Sequence, residues 1–230
     1  MKKELLLFLT TNYPIDRCNK NLLENKDNLF NIVKILSEYD FDDYITNIIQ
    51  DTINKYGTRG YGYWIWKSYY ILQELKQLNE NDILVSLDTH CTTNGLKKYF
   101  NKLIKKLNKQ PVIIAKLGFD EYSYTTTKLR KYIEEYLNYQ FTDQQLETAQ
   151  YEGGIVFIRN CEESRKFIEQ WFTIMVSHIE YITDIYNKDK NNHPSFIDNR
   201  HDQSVVSLLY KFYNYITPDY LTWDLMHKND

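Results

Sequence analysis

The chain has 230 residues, of which 43% are hydrophobic and 26% are charged, so its length and composition fit one globular domain. Its formal net charge of −3 lacks the basic excess typical of nucleic-acid-binding domains, which argues against a nucleic-acid partner. The apolar run at residues 5–9 is too short for a signal-peptide core, and no stretch reaches the roughly 20 apolar residues of a transmembrane helix. The scattered cysteines Cys18, Cys91 and Cys161 favour neither a disulfide framework nor a zinc site, and we expect a cytoplasmic protein.

Strand and helix patterns alternate along the chain. Apolar runs bounded by turn residues predict strands at residues 5–10, 82–87, 111–115 and 153–158. Apolar positions at helical spacing predict helices at residues 21–39, 44–56, 64–78, 96–107, 127–137, 164–182 and 202–213, with a polar loop at residues 187–199. This alternation predicts an α/β fold, a single domain with a mainly parallel central sheet flanked by helices.

A candidate metal site follows the strand predicted at residues 82–87, whose continuous apolar character indicates burial on both faces. Asp88 ends this strand, and His90 lies two positions further on. An aspartate at a strand end often forms a turn or caps a helix, so Asp88 alone indicates little. Because a divalent ion such as Mn²⁺ accepts both carboxylate oxygen and imidazole nitrogen, the pair Asp88 and His90 favours a metal site. His227, near the end of the chain, is a third candidate ligand.

A turn rich in glycine and aromatic residues opens a predicted helix, with the sequence Arg59-Gly60-Tyr61-Gly62-Tyr63-Trp64-Ile65-Trp66-Lys67. A leaving diphosphate requires positive charge near its oxygens, and Arg59 and Lys67 are the candidate fixed cations. The backbone amides of residues 60–62, at the start of a helix, would add an anion-binding end. The alternative is a tight glycine turn, with Trp64 and Trp66 filling the core.

Two further segments are candidates for a site. Gly153 and Gly154 open a predicted strand, where the lack of side chains lets backbone or ligand approach closely, although a β-bulge would also explain them. Residues 198–204 combine acids, amides and bases before an apolar helix. Asp202 fits a first-turn acid that interacts favourably with the helix dipole. Alternatively, Asp202 and Gln203 point into a cleft and hold sugar hydroxyls, and Asp202 acts as a general base, which typically contributes about 10²–10⁴-fold.

Three segments, taken in order, resemble a glycosyltransferase family of the GT-A fold found in bacterial surface-polysaccharide clusters and in large DNA viruses. They are residues 59–67, residues 82–88 and Arg200-His201-Asp202-Gln203-Ser204, with weaker similarity at residues 153–159. The resemblance implies a GT-A-like fold, in which residues 1–115 form the nucleotide-binding half and residues 116–230 the half for donor sugar and acceptor. It also implies that the nucleotide sugar is bound by Thr10, Thr11, Asn12, Arg59, Tyr63, Trp66, Lys67, Gly153 and Gly154.

The resemblance implies a metal-dependent transferase. Asp88 and His90 would hold Mn²⁺ or Mg²⁺ against the diphosphate of a nucleotide sugar, with a UDP-sugar expected, and a hexose-type sugar would pass to a saccharide or glycoprotein hydroxyl. Asp202 would act as base if the reaction inverts the anomeric centre, and would position the sugar if it retains configuration. The family usually has Gly or Asp at the position of His90, and Pro at the position of Ser68.

Two other functions remain open. A nucleotidyltransferase or hydrolase could use the same kind of metal and nucleotide cleft, and a non-catalytic carbohydrate-binding protein could keep the same fold. The expected location is the cytoplasm, either free or peripheral to a membrane, and the host cytoplasm if the chain is viral.

Overall fold

The computed structural model describes residues 1–10 and 18–227, and a five-stranded sheet in the order β2-β1-β3-β5-β4 forms its centre. The strands are β1 (Lys3–Leu9), β2 (Ile32–Ser37), β3 (Ile83–Leu87), β4 (Val112–Asp120) and β5 (Ala149–Arg159). β1 pairs in parallel with β2 and β3, whereas β5 is antiparallel to β3 and to β4. The predicted α/β fold is confirmed, but the sheet is mixed rather than mainly parallel. A short apolar run has the same pattern in either direction, so the sequence does not reveal the reversal of β5.

Helices cover both faces of the sheet. They are α1 (Lys20–Leu23), α2 (Asp43–Tyr56), α3 (Gly60–Tyr63), α4 (Ile65–Gln77), α5 (Thr93–Leu107), α6 (Glu121–Tyr124), α7 (Thr127–Leu137), α8 (Asp143–Leu146), α9 (Glu162–Ser177), α10 (Ile179–Ile182), α11 (Asp202–Phe212) and α12 (Trp223–His227). Residues of α2, α4, α7, α9 and α11 build the hydrophobic core on one face, and α1 and α5 contribute to the core on the other. In the described ranges, no helix has both the length and the apolar character needed to cross a membrane.

The segment that follows β1 differs from its prediction. The sequence predicts one helix over residues 21–39, but the structure has the short helix α1 and the edge strand β2 in this region. β2 pairs with β1 in the register Leu5↔Val33 and Leu7↔Ile35. Its run of β-branched residues suits a strand, and pairing with β1 outweighs the helical spacing of the neighbouring leucines. The prediction of a single helix is therefore wrong.

The candidate site lies at the edge of the sheet where β1 and β3 end. Asp88 follows β3 directly, and the antiparallel direction of β5 brings Gly153 and Gly154 to the same edge. The pairing of β5 with β4 is irregular here, because Ile114 pairs with Val156 but Lys116 pairs with Tyr151. The extra residues of β5 at this point include both glycines. The boundary predicted at residue 115 falls inside β4, so the two predicted halves share one sheet.

Candidate active site

A buried lysine between two aspartates forms the charged centre of the site. Lys67 lies on α4, Asp88 follows β3, and Asp202 begins α11. The Nζ atom of Lys67 lies 3.5 Å from Oδ1 of Asp88 and 3.4 Å from Oδ2 of Asp202. Lys67 and Asp202 are buried, whereas the side chain of Asp88 is 22% exposed. One ammonium group thus partly offsets two carboxylates, one of which reaches solvent.

Gly153 and Gly154 make room for these two carboxylates. A Cβ atom on Gly154 would lie 2.6 Å from the carboxyl carbon of Asp88, and one on Gly153 would lie 3.1 Å from Oδ2 of Asp202. The amide of Asp88 also donates a hydrogen bond of 2.8 Å to the carbonyl of Gly154. The two glycines therefore let the carboxylates of Asp88 and Asp202 come close to the backbone of β5. The pairing of β5 with β4 is also irregular at this point.

Glu152 is a third acid at this site, and it was not among the predicted site residues. The pKa of Glu152 is raised to about 7, mainly by burial and also by the nearby charge of Asp88, against the lowering effect of Lys67. Burial also raises the pKa of Asp202 to about 6, with Lys67 opposing and Asp88 reinforcing the change. The only sequence signal for Glu152 is its position directly before the glycine pair.

Two adjoining cavities form the cleft. The smaller cavity, of about 120 Å³, contains Lys67, Gly153, Gly154 and Asp202 in its wall. The larger cavity, of about 830 Å³, is lined by His90 together with residues of β4 and α12. Four residues line both cavities, and these are Asp88, Glu152, Arg200 and Gln203. The structure thus brings eight predicted residues to one cleft, namely Arg59, Lys67, Asp88, His90, Gly153, Gly154, Asp202 and Gln203.

The chemistry of this cleft fits a divalent cation that is shared with a ligand. Asp88 and His90 both line the larger cavity and offer a carboxylate oxygen and an imidazole nitrogen. Within residues 1–10 and 18–227, no cluster of three or more His, Cys, Asp or Glu side chains is arranged to hold a metal. A complete protein cage is therefore absent from the described part, but Mg²⁺ is typically held by one or two carboxylates plus substrate phosphates. The side chain of His227 lies outside the part of the structure that is described.

The glycine turn before α4 does not form the predicted anion-binding helix end. Residues Gly60, Tyr61, Gly62, Tyr63 and Trp64 all have positive φ angles, so α3 is a left-handed turn. Within it the amides of Tyr61, Tyr63 and Trp64 donate to the carbonyls of Thr58, Arg59 and Gly60. The predicted helix start is therefore replaced by a left-handed turn, and one of its three predicted amides, that of Tyr61, is already bonded to a carbonyl.

The cations and aromatic rings of this segment also have roles that differ from those predicted. Arg59 lines the smaller cavity but pairs with Asp184 at 2.8 Å and Asp198 at 3.1 Å. Tyr63 and Trp66 are core residues, and the Nε1 atom of Trp66 donates to the carbonyl of Gly60. Neither ring lines the two cavities, so their assignment to ligand binding is not supported by the geometry. The alternative that the tryptophans fill the core holds for Trp66, whereas Trp64 is half-buried, packs against the same core and also lines the smaller cavity.

His201 supports the wall of the smaller cavity. Its ring stacks on Trp64 with centroids 5.6 Å apart, and its Nδ1 atom donates to the carbonyl of Ile182 at 2.6 Å. His201 is 2% exposed and has a φ of 55°. Burial lowers the pKa of His201 to about 4, so the ring is neutral at pH 7. His201 was not among the predicted site residues, although it belongs to the segment that resembles the family.

The first turn of α11 supplies the remaining polar groups of the cleft. Asp202 is the first residue of α11, so it is a first-turn acid as well as a wall of the smaller cavity. Gln203 is buried and its Nε2 atom donates to Oε1 of Gln150 at 2.6 Å. The guanidinium of Arg200 lies over the rings of Phe119 and Tyr124 at the boundary of the two cavities. Arg200 is therefore a cation of the cleft, although it was not among the predicted site residues.

The loop after β1 is only partly described. Thr10 is buried at the end of β1, and its Oγ1 atom has no hydrogen-bond partner in the described part of the chain. Thr11 and Asn12 lie outside the described residues, so the predicted contact of this loop with a nucleotide remains a prediction.

Comparisons with known proteins give one weak structural similarity. No protein-family model matches the chain, and no curated protein matches it in sequence. The crystal structure of mouse xyloside xylosyltransferase 1 in its apo form is similar, with a TM-score of 0.44 and 12% sequence identity. The similarity covers 95% of this chain and 84% of that protein. Values of this size do not establish a shared fold or function, so the functional conclusion rests on the geometry of the cleft.

Proposed function

We propose that this chain is a glycosyltransferase that moves a hexose-type sugar from a nucleoside-diphosphate sugar, with UDP as the expected nucleotide, to a hydroxyl of a saccharide or glycoprotein. The observation that carries the proposal is the position of Asp88. Its carboxylate follows the central strand β3, reaches solvent and lines both cavities of the cleft. Ligands of open α/β sheets bind outside the carboxyl ends of the strands, which is where this cleft lies.

The charges around the cleft suit a leaving diphosphate. Asp88 and His90 would hold Mn²⁺ or Mg²⁺, and the phosphate oxygens of the nucleotide sugar would complete the coordination. A bound ion would offset the charge of the departing diphosphate. Arg200 faces both cavities and supplies a fixed cation, in addition to the predicted Arg59, which two carboxylates already engage. Lys67 holds Asp88 and Asp202 in place against their mutual repulsion.

The structure offers two acids for activating the acceptor hydroxyl. Asp202 is buried against Lys67 in the smaller cavity, whereas Glu152 lines both cavities and is half-buried. If the reaction inverts the anomeric centre, a comparison of Asp202→Asn with Glu152→Gln identifies the base. The variant that removes the base loses about 10²–10⁴-fold in kcat, and the other variant loses less. Nearly equal and small losses would indicate a retaining reaction without a protein base.

A combined binding and product assay tests the proposed function. Thermal shifts are recorded with a panel of nucleoside-diphosphate sugars, with and without Mn²⁺, and the products formed with saccharide acceptors are identified. Wild type should be stabilised by one nucleotide sugar in the presence of Mn²⁺, since a ligand that binds only the folded state raises Tm by mass action. Asp88→Asn should lose this stabilisation, while Asp51→Asn, at an exposed position of α2, should keep it.

The products separate the proposal from its alternatives. A glycosidic bond formed together with free nucleoside diphosphate supports a glycosyltransferase. Release of pyrophosphate would instead indicate a nucleotidyltransferase, and hydrolysis without an acceptor a hydrolase. Binding of oligosaccharides without any response to nucleotide or Mn²⁺ would indicate a non-catalytic carbohydrate-binding protein.

A further inference from the structure

A buried chain of hydrogen bonds connects Glu121 to Gln203. Glu121 is 1% exposed and lies in α6. Its Oε2 atom accepts a hydrogen bond of 3.0 Å from Nε2 of Gln150, and Oε1 of Gln150 accepts one of 2.6 Å from Nε2 of Gln203. Gln150 is fully buried, and Gln203 lines both cavities of the cleft. This series of hydrogen bonds therefore runs from the protein interior to the wall of the candidate active site.

The neighbours of Glu121 determine which end of the Gln150 amide faces Glu121. In addition to Gln150, the carboxylate of Glu121 is contacted by the hydroxyls of Thr125 and Ser207 and by the ammonium group of Lys211. All of these groups can donate a hydrogen bond to Glu121, whereas the carbonyl oxygen of an amide cannot. If the amide of Gln150 were reversed, two oxygen atoms would face each other in a buried site, which is costly.

The other contacts of Gln150 agree with the same orientation. Its Nε2 atom also lies 3.2 Å from Oγ1 of Thr125 and 3.4 Å from Oγ of Ser204. The hydroxyl of Thr125 donates to Glu121, and that of Ser204 donates to the carbonyl of Tyr124, so both oxygens are left to accept from Gln150. The Oε1 atom of Gln150 must then face Gln203.

We propose that Glu121 and Gln150 are positioning residues that fix the amide of Gln203 with its carbonyl oxygen available to the cleft, so that Gln203 accepts a hydrogen bond from a hydroxyl of the transferred sugar. This inference rests on the proposed function and adds to it a rule of selectivity. The sugar must carry a hydroxyl that donates at the position beside Gln203. An analogue with fluorine there can only accept, and an analogue with hydrogen there can do neither.

Sugar-nucleotide analogues measure this selectivity. Each hydroxyl of the transferred sugar is replaced in turn by fluorine or hydrogen, and kcat/KM is measured with wild type. At one position, kcat/KM for both analogues should fall by about 10- to 100-fold relative to the hydroxyl, the range expected when a buried amide loses a hydrogen-bond partner. Fluorine also changes the intrinsic reactivity of the sugar, so the hydroxyl-to-fluorine ratio is compared between wild type and variants, where the intrinsic effect cancels.

Two variants remove the fixed orientation in different ways. In Glu121→Gln the new amide can donate a hydrogen bond to Gln150. The amides of Gln150 and Gln203 can then both turn over, so that Gln203 presents its NH₂ group to the cleft. In Gln150→Met the acceptor for Gln203 is absent. Each change should lower the hydroxyl-to-fluorine ratio about tenfold or more. Ser207→Ala is the matched control, since Ser207 bonds Glu121 but is not part of the chain to Gln203, and its ratio should stay within about threefold of wild type.

The outcomes distinguish this inference from the proposed function. Because the ratio is taken within one variant, a general loss of stability or activity does not change it. If wild type transfers sugar and both variants keep the wild-type ratio, the positioning role is refuted while the transferase function stands. If wild type accepts the fluorine analogue at every position as well as the hydroxyl, the role is likewise refuted. A wild type that transfers no sugar from any nucleotide sugar refutes the proposed function and this inference together.

Discussion

The two buried lysines Lys67 and Lys211 have different surroundings. Both are less than 10% exposed. The ammonium group of Lys211 pairs with Glu121 at 3.2 Å and donates to the carbonyls of Gln145 and Thr148 at 2.8 and 3.0 Å. The ammonium group of Lys67 lies between two carboxylates at 3.4 and 3.5 Å, which is longer than a typical charged hydrogen bond.

This difference indicates that Lys211 is a structural cation, whereas Lys67 is a cation of the cleft. Three short contacts satisfy the three donors of Lys211, which lines neither cavity of the cleft. Lys67 lines the smaller cavity, and the two carboxylates beside it at 3.4 and 3.5 Å line the same cavity. The ammonium group of Lys67 lies between the carboxylates of Asp88 and Asp202 and thereby sets their arrangement.

The largest effect on stability is expected at Lys211. Lys211→Met leaves the carboxylate of Glu121 buried without its cation and should lower the free energy of unfolding by about 3–5 kcal/mol, measured by urea denaturation. The double variant Lys211→Met with Glu121→Gln removes the uncompensated charge and should recover part of this loss. A single variant as stable as wild type would show that Lys211 is not the structural cation described here.

Of the two lysines, Lys67 is expected to have the larger effect on activity. Lys67→Met should lower kcat/KM by about 10²–10³-fold, because the cleft loses a fixed positive charge and the two aspartates lose their spacer. Its free energy of unfolding should fall less than that of Lys211→Met, since Asp88 reaches solvent and can be hydrated. The opposite pattern, in which Lys67→Met mainly unfolds the protein and leaves the kcat/KM of the folded fraction unchanged, would reverse the roles of the two lysines.

His201 is also a buried basic residue, but unlike Lys67 and Lys211 it is neutral in the folded protein at pH 7. Because its pKa is about 4 in the folded protein and near 6.5 when unfolded, only the unfolded state takes up a proton between these values. Stability should therefore fall as pH decreases from about 6.5 to about 4, by up to roughly 3 kcal/mol from this residue. His201→Asn should have a shallower pH dependence over this range. Comparison at pH 8, where the ring is neutral in both states, gives the cost of the substitution itself.

Asp88 could be predicted from the sequence because its signal is local. Five consecutive buried residues form β3, and the first polar side chain after them reaches the cleft at the end of the strand. The first turn of α11, with Asp202 and Gln203, could be predicted for the same reason. The acids around Lys67 could not be recognised as its partners, since they come from β3 and α11, which only the tertiary fold brings together.

Glu152 and β2 could not be predicted, for two physical reasons. Side chains alternate between the faces of a regular strand, but β5 is irregular at Gly153 and Gly154, so the direction of Glu152 does not follow from its position. β2 is a half-exposed edge strand, and its stability comes from pairing with β1 rather than from a local pattern. The left-handed turn before α4 was also hidden, because two glycines are compatible with several turn geometries.

The smallest effects are expected from the matched substitutions at the two glycines. They test whether the positions of the Asp88 and Asp202 carboxylates beside Lys67 matter for the site. Neither glycine has a positive φ, so alanine adds only volume. Gly154→Ala places a methyl group 2.6 Å from the carboxyl carbon of Asp88, so the Asp88 side chain must move. The free energy of unfolding should fall by about 1–3 kcal/mol, and the Mn²⁺-dependent thermal shift should be lost. Gly153→Ala meets Asp202 at 3.1 Å and should cost less and keep the shift. Equal responses of the two variants to Mn²⁺ would mean that Asp88 is not the acid that holds the ion, since only Gly154→Ala displaces it.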